Sequence, residues 1–151
     1  MTRARRLYLI DNSVLQRISR SPEVERAWRA LDATGRKALC LPSLLEAGYS
    51  ARDVGEHRRA NAALRAACEV LDPVPELTAI SLQLQERLFE AGMGRAAGVS
   101  DLQIAATALH YSASPADAEV TVVHYDTDFD CLASVEPALS ARWIVPRGTV
   151  D

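Results

Sequence analysis

Short apolar runs alternate along this chain with longer stretches of helical periodicity. "RLYLID" reads as a buried strand over residues 6 to 10 that stops at Asp11. "SPEVERAWRAL" then opens a helix. Ser21 can cap it, Pro22 takes the first helical position, where its missing N–H costs nothing, and glutamates fill the first turn. "KALCLP" predicts a second strand. After it, Pro42 starts a long helix over "PSLLEAGYSARDVGEHRRANAALRAAC", weakened by Gly48 and Gly55. "CEVLDPVP" reads as a small third strand bounded by prolines. "ELTAISLQLQERLFEAG" places Ile80, Leu84 and Leu88 at helical spacing, with Gly92 as the stop. "SDLQIAATALHY" is the next helix, and "AEVTVVHY" and "RWIVP" are the last two strands. Short apolar strands alternating with helices predict an α/β domain with a mainly parallel sheet of about five strands. Neither a repeat nor a linker interrupts the pattern, so residues 1 to 151 are expected to form a single domain.

Composition narrows the class. With 48% hydrophobic and 25% charged residues the chain is an ordinary globular sequence. The basic N-terminus "MTRARRLYLIDNS" loses its apolar character at Asp11, too soon for a signal peptide or a membrane span. Cys40, Cys68 and Cys131 are odd in number and far apart, which suggests neither a disulfide framework nor a zinc site, and a cytoplasmic protein is expected. Net charge is −3, yet its distribution matters more than its sum. Lys37 is the only lysine, so nearly all positive charge is arginine, the better fork for phosphate. Arg3, Arg5 and Arg6 cluster at the start, and Arg52, His57, Arg58, Arg59 and Arg65 follow one another along a single segment. A solvated helix face explains that segment as readily as a polyanion partner does.

The candidate chemistry is carboxylate. In open α/β sheets, ligands bind beyond the carboxyl ends of the strands. Asp11 ends the first strand and Asp126 ends the strand in "VTVVHYDTDFD". Glu46 and Asp101 lie in the opening turns of helices, so a parallel sheet would bring four acids from distant segments to one edge. Each has a plainer reading. Asp11 can cap "NSVLQRI". Ser100 and Gln103 form an S-x-x-Q capping box, leaving Asp101 as a first-turn acid. Asp126 and Asp128 can be turn formers. Glu46, among Leu44, Leu45, Ala47 and Gly48, is the hardest to dismiss, because an unpaired carboxylate in apolar surroundings is costly. Clustered carboxylates without cysteine or histidine ligands suit a hard divalent cation, Mg²⁺ or Mn²⁺. His57, His110 and His124 show no zinc spacing, and no glycine-rich phosphate loop is present.

"YLIDNSVL", "LPSLLEAGYSA", "GVSDLQIAATALHY", "VVHYDTDFDCLA" and the closing "RWIVPRG" together resemble the PIN-domain ribonucleases, and among them the VapC-type toxins of toxin–antitoxin systems. The resemblance runs in order over nearly the whole chain. It implies a three-layer α/β/α fold and a Mg²⁺-dependent endoribonuclease, with Mn²⁺ able to substitute. By the same resemblance Asp11, Glu46, Asp101 and Asp126 are the catalytic, metal-binding acids. Asp128 is a further ligand or orienting group, and Ser13 an accessory hydroxyl. Asp130 is expected to be a solvated helix-start residue. The expected partners are a structured RNA (tRNA or ribosomal RNA), a VapB-type antitoxin and a second copy of the chain, with no membrane. The connection "SASPADAEVT" departs from the family by its length. Two rival readings accompany this one. A haloacid-dehalogenase-like phosphatase shares a strand followed by D-x-D, although here Phe129 replaces the usual small residue and the motif comes late. A non-catalytic PIN-like interaction module would keep the fold alone.

Overall fold

The computed structural model describes residues 4–113 and 118–150. Five parallel strands form one sheet in the order β3-β2-β1-β4-β5, with β1 (Arg5–Ile10), β2 (Arg36–Cys40), β3 (Glu69–Leu71), β4 (Ala118–His124) and β5 (Ser140–Trp143). The connections carry helices α1 (Asn12–Ile18), α2 (Pro22–Ala30), α3 (Leu41–Tyr49), α4 (Val54–Ala67), α5 (Glu76–Glu90), α6 (Val99–Ser112) and α7 (Asp128–Val135). Side chains alternate across a strand, and both faces of this sheet are covered. Leu7 and Leu9 of β1 join Val120 and Val122 of β4 beneath α5, α6 and α7. Tyr8, Ile10 and Val123 point the other way, to Val14 of α1, Val24 of α2 and Leu64 of α4. The result is the three-layer α/β/α architecture read from the sequence. Among the described residues no helix is long and apolar enough to cross a membrane.

Three local expectations change. The helix expected from Pro42 to Cys68 is two helices, broken at residues 50–53, where Asp53 accepts the Glu56 amide at 2.8 Å and caps α4. A side-chain cap thus sets the break, and Gly48 and Gly55 lie within the flanking helices. The last strand begins at Ser140, before "RWIVP", because its register is set by pairing to β4 from Thr121↔Ser140 to His124↔Trp143. Gly98, not Ser100, is the cap of α6, and the bond there comes from Asp101, whose Oδ2 accepts the Gly98 amide at 3.1 Å. The Ser100–Gln103 box is therefore absent.

Chain order puts the switch point of the sheet between β1 and β4. From β1 the chain moves outward through β2 and β3, then returns to place β4 on the other side. The loops after β1 and β4 diverge to opposite faces there and leave a crevice at the carboxyl edge. Arg5 and Arg6 lie at the start of β1, at the opposite edge, paired with Glu69 at 3.2 Å and Glu119 at 3.9 Å. Arg3 and residues 114–117 of the long "SASPADAEVT" connection lie outside the described residues.

Candidate functional site

Asp11 leaves β1 beside β4, its amide bonded to the Val123 carbonyl at 3.0 Å. It caps α1 through Oδ2, which accepts the Ser13 amide at 2.9 Å. Capping is thus real, but it does not exhaust the carboxylate. Asp11 is only 3% exposed, and its Oδ1 is buried with no hydrogen-bond partner. Burial pushes the Asp11 carboxyl pKa upward, the Ser13 hydroxyl and amide oppose the shift, and the charges of Glu46 and Asp126 add to it.

Asp126 follows β4 and sits in a turn held by its own side chain, whose Oδ1 accepts the Asp128 amide at 3.0 Å. Asp128 is the first residue of α7. Asp101 comes from the first turn of α6, and one ligand atom each from Asp101, Asp126 and Asp128 lie within 4.8 Å of one another. Crowding raises the Asp101 pKa to about 8, through burial first, then the contact with the Asp128 carboxylate and the charges of Asp11 and Asp126. At neutral pH Asp101 therefore favours its protonated form.

The structure thus brings Asp101, Asp126 and Asp128 into one group and sets Asp11 beside it. Glu46 joins electrostatically through Asp11. Its surroundings differ from the expectation of a costly apolar pocket. Glu46 is half-buried and not enclosed, and Leu45 and Tyr49 turn outward. Ser13 binds both walls of the crevice: it supports Asp11, and its Oγ accepts the Tyr125 amide at 2.8 Å. Asp130 is exposed at the start of α7, as expected, but its carboxylate also accepts Trp143 Nε1 at 3.1 Å, a partner the sequence did not suggest. His124 carries a role that its lack of zinc spacing does not suggest. It is buried, and its Nδ1 accepts the Asp126 amide at 3.2 Å. The available signal was a polar residue within an apolar run, two places before an acid.

Among the described residues, the groups that meet in the cluster are oxygen donors. One buried carboxylate oxygen lacks a hydrogen-bond partner, and burial with crowding raises the pKa of one carboxyl. A hard divalent cation would relieve both conditions at once and suits an oxygen donor set, so the residues fit such an ion.

Fold and crevice define the class, a parallel α/β domain covered on both faces and edged with carboxylates at its switch point. The chain belongs to the PIN-domain family, whose model matches residues 8–134. Ribonuclease VapC51 of Mycobacterium tuberculosis is 38% identical over 144 residues, covering 95% of this chain and 97% of that protein. Ribonuclease VapC21 of the same species is 32% identical over 142 residues, covering 94% and 96%. Among solved structures, the Rickettsia felis VapBC2 complex bound to a promoter DNA fragment superposes with a TM-score of 0.71. It is 16% identical and covers 91% of this chain and 98% of that one, a likeness of fold. Membership of the PIN family sets aside the haloacid-dehalogenase reading of "DTDF".

Proposed function

We propose that the protein is a Mg²⁺-dependent endoribonuclease toxin of the VapC kind, restrained by a VapB-type antitoxin. The observation that carries this reading is the meeting of Asp101, Asp126 and Asp128 within 4.8 Å beside the partnerless Oδ1 of Asp11. The names of the relatives, both ribonucleases, support it. Asp11, Glu46, Asp101 and Asp126 hold the cation, Asp128 serves as a further ligand, and Mn²⁺ can replace Mg²⁺. When bound, the ion supplies Lewis acidity, which lowers the pKa of water and offsets phosphate charge.

The chain's own residues do the rest. Ser13 fixes the rotamer of Asp11 and the backbone at Tyr125, so the two walls keep their spacing. Asp101 gives up its proton as the site is loaded. Arg58, Arg59 and Arg65 on exposed α4 carry no ion pair among the described residues and offer charge to an RNA backbone. Arg52 contributes less, since Glu56 pairs with it at 2.9 Å. The substrate class is structured RNA, tRNA or ribosomal RNA, and the working form is a homodimer. A carboxylate cluster is also a receptor for a guanidinium, which suits inhibition by an arginine of the antitoxin in competition with metal. The VapBC complexes among the structural neighbours favour such a partner.

The test is cleavage of an RNA pool with Mn²⁺, with EDTA, and with Asp11→Asn as control. Metal-dependent cutting that leaves 5′-phosphates and is lost in the variant is expected. Cutting that survives chelation and leaves 2′,3′-cyclic phosphates would point to a histidine mechanism instead. A protein that never cuts and never binds metal would revive the non-catalytic module.

A further inference from the structure

We infer that His124 is a positioning residue, whose Nδ1 fixes the backbone amide of Asp126 and so holds that acid in the cluster. The inference rests on reading Asp126 as a metal ligand. The Asp126 amide donates to Nδ1 at 3.2 Å, which requires a neutral ring with its proton on Nε2. The imidazole is fully buried, packed against Phe129 at 5.0 Å and Trp143 at 5.1 Å between ring centroids. Its Nε2 is buried without a hydrogen-bond partner. A polar atom left unsatisfied in the core is a net cost, so packing alone would favour an apolar ring at this position. What the histidine gains in return is the bond to Asp126. The neighbouring Tyr125 amide is taken by Ser13, and the Asp128 amide by Asp126 itself. Side chains therefore hold three of the four amides from Tyr125 to Asp128, and His124 holds the one belonging to the acid.

Two substitutions separate position from packing. His124→Phe keeps the ring and removes the acceptor. His124→Asn loses ring volume but presents Oδ1 near the place of Nδ1. In the Phe variant, Mn²⁺ affinity measured by calorimetry should fall about ten- to a hundredfold while the melting temperature holds or rises. The Asn variant should melt lower and keep most of its Mn²⁺ affinity. Hydrogen exchange at the Asp126 amide should be slow in wild type and in the Asn variant, and fast in the Phe variant. A Phe variant that binds Mn²⁺ like wild type, or an Asn variant that loses as much as Phe, overturns the inference. Should the Phe protein fail to fold, the nitrogen-15 shifts of the wild-type imidazole decide. An unprotonated Nδ1 supports the bond, and a protonated one removes it. Wild type that binds no Mn²⁺ would sink the metal reading, while amide exchange would still decide the bond.

Discussion

Ser13 Oγ accepts the backbone amide of Tyr125 at 2.8 Å, joining residues 112 positions apart in the chain. One hydroxyl thus ties the turn after β1 to the turn after β4, while the same residue supports the Asp11 carboxylate. Ser13→Ala removes both functions. Its urea unfolding should show a loss of about 1–2 kcal/mol, the cost of an unmade hydrogen bond in a part-buried turn. Its Mn²⁺ affinity should also fall. An alanine variant equal to wild type in both would show that the two walls hold their spacing without it.

Neutralising a crowded carboxylate should stabilise the metal-free protein. Two unit charges about 4 Å apart interact by roughly 4 kcal/mol at an effective dielectric of 20, an upper scale that the retained proton reduces. In Asp101→Asn and Asp126→Asn the amide oxygen can still accept from Gly98 or Asp128, so the turns survive. Thermal scans in EDTA should place both variants above wild type, by about 2–4 °C for each kcal/mol relieved. Mn²⁺ at a hundred times its Kd should then stabilise wild type by about 2.7 kcal/mol and the variants far less. Curves that ignore both the substitutions and the metal would disprove a shared site.

The pH dependence has two opposing parts. The Asp101 pKa is raised to about 8, so the folded protein binds more protons than the unfolded chain between about 4 and 8, and stability declines as pH rises through that range. Burial lowers the His124 pKa to about 4, so its contribution is present above the unfolded value near 6.5 and is lost as pH falls toward 4. Between about 4 and 6.5 the two offset each other. From about 6.5 to 8 only the Asp101 decline remains, with Asp11 acting in the same direction. Metal-free melting temperatures should therefore fall from pH 6.5 to 8 in wild type and stay level in Asp101→Asn. Mn²⁺ affinity should rise over the same interval, because the ion displaces the proton. A wild-type profile flat above pH 6.5 would contradict the raised Asp101 pKa.

The two acids of α7 should behave differently. Asp128→Asn removes the carboxylate that raises the Asp101 pKa, so the pH midpoint for Mn²⁺ binding should move down, with a partial loss of cleavage. Asp130→Asn should leave cleavage nearly unchanged, because its partner is Trp143 Nε1 and an amide oxygen still accepts that proton. A loss at Asp130 equal to that at Asp128 would place Asp130 in the site as well.

The strands and the order of the four acids were legible because burial on both faces writes continuous apolar runs, and because strand ends in a parallel sheet share an edge. Less legible was anything decided by one hydrogen bond. The break between α3 and α4 depends on Asp53 capping Glu56, a local bond that helical periodicity does not register. The start of α6 depends on Asp101 reaching back to Gly98 rather than on the Ser100 hydroxyl. His124 looked like one more member of a buried strand, and its bond to Asp126 appears only once the turn is folded. Asp128 read as accessory, yet the fold puts it in direct contact with Asp101.

The acids that meet in the crevice span the chain from Asp11 to Asp128. During synthesis, β1 emerges first but lacks its neighbour β4 and the turn that carries Asp126 and Asp128. No growing chain that stops short of residue 128 can assemble the cluster, however well its first half is folded. For a protein proposed to cut RNA, the ribosome making it would be spared until that residue has emerged. Topology alone would delay the proposed activity to that point.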